Sequence, residues 1–240
     1  MTVSNIGSGG TDVLVSEDQL NKVDVNDVNY DLGEGLVEAK QISMGAKVNK
    51  LTTKSEAGKN AVFTGKGLVD STIVVKSPTS EEPTNRKARE ENPTSIIRLE
   101  NTLNENVLVN VKKGATAKVV IAEGKFRKSE VDMGNGKKTK SDDTIEIGSS
   151  AKLINSSFNL KKGDDTFILT GGAKLKKTNT VDLGKGGTDK VIIGNNTTGK
   201  GKLVIENMDK RDTLSYGGED YTKKQIKNGE ADIPGFIELG

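Results

Sequence analysis

The sequence predicts an all-β fold, an irregular parallel β-solenoid (β-helix) with coils of about 22 residues and a C-terminal capping hairpin. Three observations carry this expectation. Apolar residues fall in short alternating runs bounded by Gly, Asn and Asp, as in Asn106 to Val111 (NVLVNV) and Asp143 to Ile147 (DTIEI), the pattern of half-buried strands. Helical patterning is confined to Glu17 to Lys22 and Arg86 to Glu91. Finally, several strand types recur in phase with one another.

The chain divides into four stretches. Residues 1–75 form an N-terminal β region and the expected docking end, where Val13, Leu14 and Val15 offer a strand edge without an evident cap. Residues 76–98 are dense in mixed charge and hold three of the four prolines, which reads as an exposed loop. Residues 99–205 carry the coils. The aspartates of Asp143-Thr144-Ile145, Asp165-Thr166-Phe167 and Asp189-Lys190-Val191 lie 22 and then 24 residues apart. Between them run Val131-Asp132-Met133, Phe158-Asn159-Leu160 and Val181-Asp182-Leu183, together with Ala151-Lys152-Leu153 and Ala173-Lys174-Leu175. Three short strands per period describe a coil that returns above itself. Alternation points Ile145, Ile147, Leu169 and Ile193 inward and Glu146 outward. Ile168 and Ile192 share the outward phase and are candidate interface residues with Val13, Leu14 and Val15. One coil cannot offset the ordering of its own backbone, so stability is collective and open ends need covering. Residues 206–240 supply that cover: Gly217-Gly218 separates two short strand patterns, and Tyr216, Tyr221, Ile226, Phe236 and Ile237 gather there.

Composition narrows the chemistry. The 240 residues include no Cys, His or Trp. Thiolate nucleophiles, disulfides and the usual proton shuttle and metal ligand are therefore missing. With 36 Lys and Arg against 34 Asp and Glu, net charge is +2 and aromatics are 3%, so neither a nucleic-acid nor a membrane partner is expected. No apolar run approaches the ~20 residues of a membrane-spanning helix. Met1 to Gly10 is polar and Gly-rich, so a cleaved secretory signal is not expected.

The Gly-Asp-strand repeats resemble the RTX β-roll family, whose GGxGxDxUx nonapeptides bind calcium. The resemblance covers residues 131–194, with an echo at 7–15. Asp12, Asp143, Asp165 and Asp189 stand at the family's metal-binding aspartate, which makes them calcium candidates. Gly10, Gly163 and Gly187 stand at the preceding glycine, and Ser141 replaces it in the remaining copy. Lys161, Lys162 and Lys185 occupy turns where the family places calcium, so the expectation is a solenoid neutralised by lysine, with no cofactor. Val181 to Ile193 is also similar to strings in cyanobacterial and cyanophage surface proteins. The Lys-, Asn-, Thr- and Gly-rich coils look like β-helical virion decoration proteins of bacteriophages.

Two motif readings are weaker. Gly184-Lys185-Gly186-Gly187-Thr188 lacks the spacing of a phosphate loop, and Asp142-Asp143 or Asp164-Asp165 as a glycosidase pair is a thin signal. The expectation is a non-enzymatic structural protein of a bacteriophage virion, a capsid or tail decoration or spike. Its partners would be other virion proteins or further copies of itself, as in a trimer. The alternatives are an RTX-like calcium-binding protein, extracellular or on the cell surface without an N-terminal signal, and a polysaccharide-active β-helix.

Overall fold

A computed structural model describes residues 13–15, 29–31, 40–49, 52–55, 60–75, 94–134 and 141–240. In chain order the strands begin with β1 (Val13–Val15), β2 (Asn29–Asp31), β3 (Lys40–Asn49), β4 (Thr52–Ser55), β5 (Asn60–Val69) and β6 (Thr72–Val75). They continue with β7 (Ser95–Asn101), β8 (Leu103–Glu105), β9 (Leu108–Val111), β10 (Ala117–Arg127), β11 (Glu130–Asp132), β12 (Thr144–Ile154) and β13 (Ser157–Asn159). Then follow β14 (Thr166–Leu169), β15 (Lys174–Lys176), β16 (Thr178–Asp182), β17 (Lys190–Ile193), β18 (Thr198–Gly199) and β19 (Lys202–Glu206). The end of the chain holds β20 (Thr213–Tyr216), β21 (Glu219–Thr222), the helix α1 (Lys223–Lys227) and β22 (Ile237–Leu239).

These strands form a parallel β-solenoid. One sheet runs β1-β3-β5-β7-β10-β12-β14-β17-β20-β21, and the other β2-β4-β6-β9-β11-β13-β16-β19-β22. The longer sheet is folded along its length. β10 and β12 slip register between Ile121 and Glu123. Their first limbs pair with β7 and β14, and their second limbs with β8 and β15. Each coil therefore has three sides: a first face (β10 start, β12 start, β14, β17), a second face (β8, β10 end, β12 end, β15, β18) and a third made by the other sheet. Equivalent residues at one corner of successive coils are separated by 26, 22, 24 and 23 positions.

Alternation assigns the faces as the sequence predicts. Ile145, Ile147, Leu153, Phe158 and Leu160 of one coil are fully buried, as are Phe167, Leu169, Val181 and Leu183 of the next. In-register pairing stacks them into columns such as Ile145, Phe167, Val191 and Leu214. The Phe126 and Phe158 rings stack with centroids 5.8 Å apart, and Phe167 lies 5.2 Å from Phe158. Apolar contact thus continues from coil to coil, which is what makes a repeat array stable when one repeat is not.

Two boundaries differ from those drawn on sequence. The parallel ladders run straight across residue 98: β5 pairs with β7 and β8, and Ser95 to Arg98 belong to β7 rather than to a loop. Ser95, Ile97 and Leu99 are buried in alternation, and that local pattern outweighs the charged composition preceding it. The coils also continue beyond 205, since β20 pairs in parallel with β17 and β22 with β19. Among the described strands only β21 turns back, antiparallel to β20, through Gly217 and Gly218 at φ 67° and 92°, the geometry two-residue hairpins favour. The cap is thus a hairpin whose first arm is the last rung of the sheet. Tyr216, Ile226, Ile233, Phe236 and Leu239 pack against the end of the core, whereas Tyr221 is not among them. The apolar pattern does not predict the helix α1, although Thr222 and Gln225 form a capping box there. The helical readings at Glu17 to Lys22 and Arg86 to Glu91, and residues 76–93 of the loop, lie outside the described residues.

Candidate functional site

Three of the aspartates that the sequence singles out, Asp143, Asp165 and Asp189, meet at one edge of the rod. Each precedes a first-face strand, where the backbone turns and an N–H loses its place in the sheet ladder. Asp143, Asp165, Asp189 and also Asp212 are buried, with 1–2% exposure. The N–H of Ala117 donates to Asp143 Oδ1 (2.8 Å) and that of Asp143 to Asp165 Oδ1 (2.7 Å). The N–H of Asp165 donates to Asp189 Oδ1 (2.9 Å), and that of Asp189 to Asp212 Oδ1 (2.9 Å). The result is a ladder of side-chain acceptors, one per coil. Ser141 Oγ donates to Asp143 Oδ2 at 2.7 Å, and the Asp209 N–H to Asp212 Oδ2 at 2.6 Å.

A second ladder runs along the corner between the second and third faces. The N–H groups of Val107, Ser129 and Ser156 donate to Ser129 Oγ (3.0 Å), Ser156 Oγ (3.4 Å) and Asn179 Oδ1 (3.1 Å). Just before it the chain takes positive φ at Asn106, Lys128, Asn155 and Lys177, which tightens the turn so that the next strand can leave at an angle. At the acidic corner the glycines have a separate reason. A Cβ on Gly187 would stand 1.6 Å from the Gly163 carbonyl oxygen, so the coils approach too closely for any side chain there.

The burial of the aspartates controls their protonation. Burial pushes Asp165 up to about 9, partly opposed by the Asp143 N–H and reinforced by the Asp143 and Asp189 carboxyls. Burial likewise pushes Asp189 up to about 7, against the Asp165 N–H. Asp165 Oδ2 is buried without a hydrogen-bond partner, which a charged oxygen tolerates badly.

This donor set does not fit calcium. The ion takes six to eight oxygens, whereas Oδ1 of Asp143, Asp165 and Asp189 is in each case committed to an N–H. Among the described residues no three carboxylates converge as metal ligands. Asp12 lies outside the described residues. The turn lysines are arranged differently from one another: Lys161 pairs with Asp132 at 3.2 Å, while Lys185 is exposed. The paired-carboxylate reading also loses its geometry. Asp142 and Asp164 are exposed while Asp143 and Asp165 point inward, so neighbouring carboxylates cannot flank one glycosidic bond. Asp142 and Asp164 accept the N–H groups of Asp164 and Thr188 at 3.0 and 2.8 Å.

The interface candidates separate into two groups. β1, formed by Val13, Leu14 and Val15, pairs with β3 and stands at the end of the longer sheet among the described strands. Ile168 and Ile192 lie opposite one another in an outward column with Val120 and Glu146, half-buried. A shallow polar groove of about 480 Å³, lined by residues such as Lys128, Glu130, Asn155 and Thr180, follows the corner between the second and third faces. Sequence reading missed Asp212 as a ladder member, although Asp212-Thr213-Leu214 repeats the acidic strand start; its place beside the hairpin disguised it.

The comparisons with known proteins leave the fold as the only guide. No family model, curated protein or solved structure matches the chain.

Proposed function

We propose that the chain is a non-enzymatic structural protein, a rigid solenoid rod serving as a component of a larger assembly. A bacteriophage virion, with the chain as a capsid or tail decoration or spike, is the assembly its repeats suggest. The observation that carries this reading is the acidic ladder. The residues best suited to acid-base work, Asp143, Asp165, Asp189 and Asp212, are withdrawn from the surface and used to join coils. A rod with that interior has mechanical continuity to offer rather than a reaction chamber. Among the described strands β1 ends the longer sheet, which supports assembly, because a parallel sheet edge is a template for another chain. Ile168 and Ile192 support a lateral contact, with itself or with another virion protein.

The test is localisation. Gold-labelled antibody against the full chain, applied to virions purified from the organism that encodes it, should decorate the particle at regular sites. Labelling confined to cell lysate, with particles unlabelled, would overturn the reading.

A further inference from the structure

We infer that the second face of the rod is a docking surface for a linear anionic polysaccharide. This goes beyond the structural role and does not depend on it. The inference starts from register. Lys125 lies directly opposite Lys152, and Lys152 directly opposite Lys174, on three successive coils. In the neighbouring outward column Lys176 sits opposite Ile154, which sits opposite Arg127. Parallel neighbours repeat about every 4.8 Å, so the lysines form a straight row of single positive charges.

Such a row works against the fold, since like charges directly opposite one another destabilise a sheet. Other lysines of the sheets reach a carboxylate on a neighbouring strand: Lys118 is paired with Glu146 at 2.7 Å, diagonally across the register, and Lys202 with Glu238. No comparable partner stands beside Lys125, Lys152, Lys174 or Lys176 among the described residues. The carboxylates of this face sit at its margins. Glu105 is held by Arg127 at 2.7 Å, and Glu123 opposes Ser150 at the bend. The crowding is felt at Lys152, whose ammonium is held below its ordinary value by Lys176 first, then by desolvation, with Lys125 and Lys174 adding to it. An anion laid along the row relieves this repulsion, and the relief is a favourable binding term that the free rod lacks.

The shape of the charge selects the partner. A row one residue wide and regular in spacing suits an extended chain carrying a charge per repeat unit. The outward columns contain no aromatic platform: the positions in register are Leu103, Lys125, Lys152, Lys174 and Thr198, and beside them Glu105, Arg127, Ile154 and Lys176. Single-stranded nucleic acid relies on aromatic stacking. Lysine acts as a point charge rather than the planar fork that reads phosphate geometry.

The experiment uses the full chain and four probes: polygalacturonate, dextran sulfate, poly-glutamate and duplex DNA, with uncharged dextran as blank. Titration calorimetry at low salt should detect one or both polysaccharides more tightly than poly-glutamate or DNA. Replacing Lys125→Gln, Lys152→Gln and Lys174→Gln together should weaken polysaccharide binding by about tenfold or more. The slope of log affinity against log salt should fall by about 2, at roughly 0.7 per lost charge. The same variant should melt at or above the wild-type temperature, which separates lost binding from lost folding. A control of equal charge, Lys185→Gln with Lys210→Gln and Lys224→Gln, should keep the wild-type affinity. Absence of polysaccharide binding, an equal loss in the control, or tighter binding of DNA or poly-glutamate would each overturn the inference.

Discussion

Asp165 sits at the centre of a chain of backbone-to-carboxylate bonds, with one oxygen used and the other buried without a partner. Its raised value, about 9, and that of Asp189, about 7, mean the folded protein holds protons that the unfolded chain releases near the ordinary aspartate value of 3.8. The sign follows from linkage. The contribution of these groups to stability is fully present below about 4 and is lost as pH rises through about 7 and then about 9. A tenfold difference in proton affinity between the folded and unfolded chain corresponds to about 1.4 kcal/mol, so even a fraction of the difference at these two groups is measurable. Denaturant midpoints taken between pH 5 and 9.5 should therefore fall with rising pH. The Asp165→Asn variant should flatten the upper part of that fall, because an amide keeps the acceptor for the Asp143 N–H and has no proton to lose. An unaltered profile in this variant would place the titrating group elsewhere.

Strands in this protein are held by columns, so damage to one strand is shared. Ile147, Leu169 and Ile193 occupy the same rung position on successive coils and are buried to within 2%. Aspartate at any of them sets a charge between apolar layers with no partner. Hydrogen exchange should then reveal lost protection in the neighbouring coils as well as in the altered one. Near-wild-type melting of all three would contradict the inward assignment. Phe158 is a sharper case, since it touches Phe126 on one side and Phe167 on the other. Phe158→Ala should cost about 3–5 kcal/mol in equilibrium unfolding, and a loss below about 1 kcal/mol would mean that the rings do not form a continuous stack.

A solenoid is only as protected as its ends. At the C-terminal end β21 covers β20, while α1 and the segment leading to β22 pack over the last coil. Deleting residues 207–240 uncovers β17 and β19 in parallel register and should convert the protein to soluble oligomers or aggregate, measured by light scattering during size exclusion. A chain that keeps the association state and fold of the intact protein after this deletion would mean that the hairpin is an appendage. Because the acidic ladder commits its carboxylates to N–H groups, the folded rod should also melt at the same temperature in calcium and in chelator. Stabilisation by calcium alone would restore the RTX-like expectation.

Much of this was legible from the residues in order. Alternation and a period near 22 determine an all-β solenoid, the inward sets around Ile145 and Val181, and the glycine pair of the capping turn, because these depend on side-chain periodicity and local backbone freedom. What depends on the coil above and below was not legible. Asp143 reads as a surface ligand until Ala117 is brought against it, and Lys152 reads as ordinary solvation until Lys125 and Lys174 are set beside it. Lys128 and Lys177 carry no signal of positive φ, unlike Asn106 and Asn155, so half of that corner is imposed by stacking. Local pattern determined which residues face inward, and the contacts between coils decided what each polar side chain is for.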